Sequence, residues 1–190
     1  MARRSDLLEF AVLGLLHDGP THGYDLRRRL NSALGPFRAL SYGTLYPALR
    51  SLVERGLITH SVSAEVVPPT ASTRARIVYE LTADGKERFN DLLATAGSDA
   101  YDDDGFDVRF HFFARTAADV RLRILEGRRS RLEENLTRFR ENAARNRERL
   151  DNYTSALAMH GEETTEREVR WLTELIDAER RHPTDPGPMP

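Results

Sequence analysis

Residues 41–58 read SYGTLYPALRSLVERGLI, and this run decides the fold. Leu45, Leu49, Leu52 and Val53 recur at helical spacing, so a helix starting at Ser41 has one apolar, inward face. Gly56 stands where a left-handed residue ends a helix. Directly after it Ile58, His60 and Val62 alternate, so the period changes from helical to extended. Pro47 lies past the first turn and removes one backbone hydrogen bond; Gly43, four residues earlier, lessens the clash of its ring.

Two helices are predicted upstream. The first, Ser5 to His17, carries Leu8, Val12, Leu15 and Leu16 on one face, with Ser5 as its cap and Asp18-Gly19-Pro20 as its breaker. Thr21 is placed to cap the second, from His22 to about Leu34, with Leu26, Leu30, Ala33 and Leu34 inward and Gly35-Pro36 beyond. Downstream, Ile77, Tyr79 and Leu81 alternate and should pair with Ile58–Val62 across a long polar loop that holds Pro68-Pro69. Thr82 caps a fourth helix running to about Ala96, with Phe89, Leu92 and Leu93 inward. Three helices and then a β-hairpin is the order of a winged helix-turn-helix, assigned to residues 1–96.

Such a unit suits DNA. A helix fits the major groove, where each base pair shows its own pattern of donors and acceptors. With the leucines turned inward, Ser41, Tyr42, Thr44, Tyr46 and Arg50 are the candidates for DNA contact, the hydroxyls toward phosphates and Arg50 toward a guanine edge or a phosphate. Arg74 and Arg76, at the wing, are candidates for the minor groove. Taken singly, each has an equally good reading as a solvated arginine or a packed tyrosine. The constellation is what is specific.

The second half is expected to be helical. Residues 97–115 read as a linker and a short aromatic helix, with Phe106, Phe110 and Phe113 at i, i+4 and i+7. Asp102-Asp103-Asp104-Gly105 does not fit a calcium loop, because Ala100 and His111 fall at the first and last ligand positions, so it reads as solvated linker. The aromatics Phe106, Phe110, Phe112, Phe113 and Trp171 either line a pocket for a small ligand or simply pack a core. Thr116 is expected to cap a long helix that ends at Gly161 after His160, and Thr165 with Glu168 a last helix to about Arg181. Along that long helix, Leu125, Leu132, Phe139, Asn146 and Tyr153 are spaced by seven, and so are Leu122, Arg129, Leu136, Ala143, Leu150 and Leu157. Two offset seven-residue series make a coiled-coil-like seam. Its partner is either a second subunit or Val169, Leu172, Leu175 and Ile176 of the last helix; both contacts are expected. Residues 116–182 are thus read as a helical dimerisation hairpin, and 183–190, with four prolines, as a disordered tail. The fold class is mainly α with a small β-hairpin (α+β).

Composition narrows the function. The 190 residues contain no cysteine, which excludes disulfides, thiolate metal sites and cysteine nucleophiles. The net charge is −2, but it is uneven: residues 1–90 hold 12 basic against 9 acidic side chains, and residues 91–190 hold 16 against 21. The basic bias of the first half is slight. The six histidines show no metal-binding pairing on a helix, and no glycine-rich phosphate loop or G-x-S-x-G elbow occurs. No metal, no cofactor and no enzymatic activity are expected. No charged-then-apolar leader opens the chain, and no apolar run nears the roughly 20 residues of a membrane span, so a cytoplasmic protein without a membrane partner is expected.

The segments THGYDLRRRL (21–30), SYGTLYPALRSLVERGLI (41–58) and YELTADGKERF (79–89) together resemble the PadR family of transcription regulators. The resemblance covers about residues 8–95. It implies a winged helix-turn-helix bound as a homodimer to a palindromic promoter site on double-stranded DNA, usually as a repressor. By position it implies DNA contacts from Tyr42, Thr44, Tyr46 and Arg50, and matches Tyr24 to the family's second-helix tyrosine. The wing departs from the pattern in its length and its proline pair. The second half is similar to the larger, AphA-like form of the family, and the resemblance implies a phenolic, drug-like or other aromatic effector. The alternative is a winged-helix adaptor that binds protein and dimerises through its long helix.

Overall fold

The computed structural model describes residues 2–33, 42–62, 77–146 and 151–182. They divide into two compact units: residues 1–95 with 103–113, and residues 96–102 with 114–190.

The first unit contains α1 (Ala2–His17), β1 (Thr21–His22), α2 (Gly23–Ala33), α3 (Tyr42–Glu54), β2 (Ile58–Val62), β3 (Ile77–Leu81), α4 (Ala83–Ala94) and α5 (Phe106–His111). The sheet is antiparallel in the order β1-β3-β2, with Thr21 opposite Tyr79 and Ile58 opposite Leu81. The hairpin is therefore joined by a third strand where Thr21 was expected to cap α2. Thr21 is buried and β-branched, its backbone pairs with β3, and its hydroxyl donates to the Gly19 carbonyl at 3.1 Å instead of receiving an amide of α2. Inward leucines of three helices close the core: Leu8, Leu13 and Leu16 of α1, Leu26 and Leu30 of α2, and Leu45, Leu49 and Leu52 of α3. Leu34, Ser41, Arg74 and Arg76 lie outside the described residues, as does the loop tip with its proline pair.

The end of α3 and the start of α4 are built as one joint. Gly56 takes a φ of +72°, and the Leu57 amide reaches back to the Leu52 carbonyl at 3.0 Å, the bond that closes a left-handed helix end. Thr82 caps α4 by accepting from the Gly85 amide at 3.0 Å, and its own hydroxyl lies 2.7 Å from the Gly56 carbonyl oxygen and 2.9 Å from that of Leu57. A Cβ on Gly85 would lie 2.0 Å from the Leu57 oxygen, so the close approach requires glycine.

The stretch after α4 is less of a linker than expected. α5 belongs to the first unit, where Phe112 packs edge-on to Phe10 and Phe89, with ring centroids 5.2 and 5.6 Å apart. Arg109 lies 4.3 Å over the Phe10 ring and donates to the carbonyls of Leu92 and Thr95 at the end of α4. Ala100 and Asp102 are buried, so the acidic run is not simply solvated.

The second unit is dominated by α6 (Ala118–Asn146) and α7 (Asn152–Arg181), which pack on each other. The break lies before Asn152 and not at Gly161. Asp151 caps α7 by accepting from the amides of Tyr153 and Thr154 at 2.8 and 3.0 Å, and that local signal outweighs one glycine inside a long helix. Thr165 does not open a helix either; its hydroxyl donates back to the Gly161 carbonyl at 2.9 Å. Thr116 precedes α6 as a buried residue whose carbonyl accepts from Arg121. The two seven-residue series thus run across two helices and form no single seam. Leu125 and Leu132 are buried and Leu136 is half-buried; Phe139 is partly exposed, and Tyr153 and Leu157 are 89% and 72% exposed. The side chains of Asn146 and Leu150 lie outside the described residues. Ion pairs clasp the two helices: Arg128–Glu168 at 2.9 Å, Arg140–Glu162 and Arg180–Glu126 at 2.6 Å, and the buried Arg121–Glu179.

Candidate nucleic-acid interface

α3 is fixed by one face and displays the other. Leu45, Leu49 and Leu52 are buried, which turns Thr44, Pro47, Arg50, Ser51 and Glu54 outward, all exposed. Of the expected contact residues, Thr44 and Arg50 lie exposed on this face. Tyr46 does so only in part, since it is half-buried and packs against the core cluster. It neighbours Tyr79, whose hydroxyl is pushed above its ordinary range, first by burial and then by Tyr46. Tyr42 is the first residue of α3, and its side chain lies outside the described residues. Tyr24, in the first turn of α2, is 56% exposed.

Around α2 the arginines are partly occupied. Arg28 pairs with Asp25 at 3.3 Å and Arg29 with Asp18 at 2.5 Å. Neither pair is deeply buried, so both remain exchangeable for a phosphate at small cost.

One arrangement escaped the reading of the sequence. Glu9 of α1 accepts from both ends of the Arg55 guanidinium, at 2.6 and 3.2 Å, and from Arg88 Nε at 2.9 Å. Burial pushes the Glu9 carboxyl up, but hydrogen bonds from Arg55 and Arg88 and their charges outweigh it, so it titrates below the usual glutamate range. The signal in the sequence was an acidic residue inside the otherwise apolar stretch of α1, LLEFAVLGLL.

Of the aromatics expected at a ligand pocket, Phe106, Phe110 and Phe113 form a cluster in the first unit, with Phe110 and Phe113 ring centroids 4.8 Å apart and Phe106 buried. Trp171 is partly exposed on α7, in the second unit. Among the described residues no group of three or more histidine, aspartate or glutamate side chains could hold a metal ion, and no helix is long and apolar enough to cross a membrane.

Residues 12–91 match the family described as the transcriptional regulator PadR-like family. The curated Negative transcriptional regulator PadR of Bacillus subtilis (strain 168) is 31% identical over 87 residues, which is 46% of this chain and 45% of that protein. The matched segment therefore spans less than half the length of that relative. Among solved structures, Bacillus subtilis PadR in complex with operator DNA aligns with a TM-score of 0.43 at 21% identity, covering 90% of this chain and 98% of that one. The PadR-like transcriptional regulator BC1756 from Bacillus cereus aligns with a TM-score of 0.40 at 20% identity, covering 92% and 98%.

Proposed function

We propose that this chain, whose residues 12–91 match the transcriptional regulator PadR-like family, is a cytoplasmic, sequence-specific repressor that binds a palindromic promoter site as a homodimer. The observation that carries this reading is the outward face of α3. A helix locked to the core by three leucines presents Thr44 and Arg50 where a major groove would meet them. In this reading Ser41, Tyr42 and Tyr46 add contacts at the start of α3, Tyr24 contacts the backbone from α2, and Arg74 and Arg76 of the wing enter the minor groove. Residues 1–96 are the DNA-binding part and residues 116–182 the dimerisation hairpin. Phe139, Tyr153 and Leu157 support the dimer, being large apolar or aromatic side chains left at the surface of two long helices. A dimer holds two copies of α3 about one DNA turn, roughly 34 Å, apart. We propose a small aromatic effector that releases the DNA, for which the Phe106, Phe110 and Phe113 cluster is the support within the first unit and Trp171 that within the second.

The test is selection from a pool of randomised duplexes by the full chain, followed by fluorescence anisotropy on the selected sequence across salt. The expected result is a palindromic sequence whose log affinity falls linearly with log salt, and whose complex is dissociated by an added phenolic acid. Failure to enrich any sequence would contradict the reading and favour the protein-binding adaptor. A selected duplex that phenolic acids leave bound would remove the effector alone.

A further inference from the structure

We propose that Glu9 is a positioning residue for α3: its carboxylate, clasped between Arg55 and Arg88, sets the angle at which α3 presents Thr44 and Arg50. The inference rests on the reading of α3 as the DNA-contacting helix. Three elements meet at this carboxylate. Glu9 stands on α1, Arg55 directly follows the last residue of α3, and Arg88 stands on α4. The Glu9 side chain is 11% exposed, whereas those of Arg55 and Arg88 are 46% and 42% exposed, so the carboxylate is the enclosed member and the arginines approach it from outside.

Physical chemistry gives this clasp a task that the leucines cannot perform. Apolar burial is non-directional, and it holds α3 against the core while tolerating small rotations and slides. A guanidinium meeting a carboxylate through two N–H groups is directional, and both contacts are lost together when either partner turns. Contacts to base edges need side chains held within about 0.5 Å of the productive geometry. Arg55 leaves the end of α3 at the left-handed joint of Gly56, so fixing Arg55 on α1 fixes the end about which the helix would otherwise swing. Arg88 ties the same oxygen to α4, whose first turn is already seated on that joint through Thr82 and Gly85.

The experiment uses the full chain and a duplex selected by the wild type from a randomised pool, with a scrambled duplex as the comparison. Selection by the wild type tests the reading of α3, and the variants test the clasp. Glu9→Gln keeps the shape of the side chain and removes its charge. It is expected to weaken the selected duplex by about tenfold, a free-energy change near 1.4 kcal/mol, while leaving the scrambled duplex, the helical circular dichroism and the oligomeric state unchanged. Arg55→Gln, at a half-exposed site, is expected to lose the same discrimination, and the double variant to be no worse than either single one. If Arg55 instead touched a phosphate, its loss would weaken both duplexes alike and reduce the salt slope by about one. That result, additive losses in the double variant, or undiminished discrimination in Glu9→Gln or Arg55→Gln would overturn the proposal.

Discussion

At Gly85 a missing side chain decides the joint between α3 and α4, because a Cβ would meet the Leu57 carbonyl oxygen at 2.0 Å. Gly85→Ala is expected to destabilise the first unit by about 1–3 kcal/mol, the usual range for overpacking; a urea midpoint equal to that of wild type would contradict it. Glu9 makes stability depend on pH. Its folded-state pKa is depressed, so its contribution is complete above the ordinary glutamate value and disappears as pH falls through the lower folded value. The groups that face it are Arg55 and Arg88, with Asp6 acting on Arg55. The stability difference between wild type and Glu9→Gln should therefore be present at neutral pH and be lost in acid as pH falls from the ordinary glutamate value through the lower folded one, and a difference that did not decline over that range would refute the clasp as its source. At this scale the sequence was legible where a residue acts on its own neighbours, as with the Gly56 helix end and the Thr82 cap. Glu9, Arg55 and Arg88 were not, because they are brought together only by the fold, over separations of 46 and 79 residues.

Helices and strands followed the apolar spacing wherever one element has one buried face, as in α2 to α4, whereas α1 is buried on every side from Phe10 to Leu16. The reading failed where two signals compete. Thr21 serves a strand and not a cap, because an edge of β3 is there to pair with it. Asp151 starts a helix that Gly161 does not interrupt. α5 is the instructive case, since the spacing of its phenylalanines does not reveal that Phe112 completes the core of the first unit. A fragment ending at residue 96 would leave Phe10 and Phe89 uncovered on that side, whereas one ending at residue 113 retains Phe112. The longer fragment should unfold cooperatively in denaturant and the shorter one should not. In the full chain Phe112→Ala should cost about 3–5 kcal/mol. Equal cooperativity of the two fragments would show that α5 is dispensable to this core.

For the whole molecule, the proposed dimer and the proposed DNA contact can be separated. Tyr153 and Leu157 stand near the start of α7, far in sequence from the buried Leu172 and Ile176. Tyr153→Glu with Leu157→Glu should shift the chain to monomer in light scattering with its helical content unchanged, and a dimer that withstands both charges would move the interface elsewhere. Tyr46 is a poor probe of DNA contact, since its ring also packs the core, and truncating it would confound binding with stability. Arg50 is exposed and outside that packing. The most direct test is therefore the anisotropy of Arg50→Ala with the duplex selected by the wild type. The outward face of α3 predicts at least about a tenfold loss of affinity, within the 1–3 kcal/mol of a base-edge contact, in a protein whose fold and oligomeric state are those of wild type; affinity equal to that of wild type would contradict the assignment of this face to DNA.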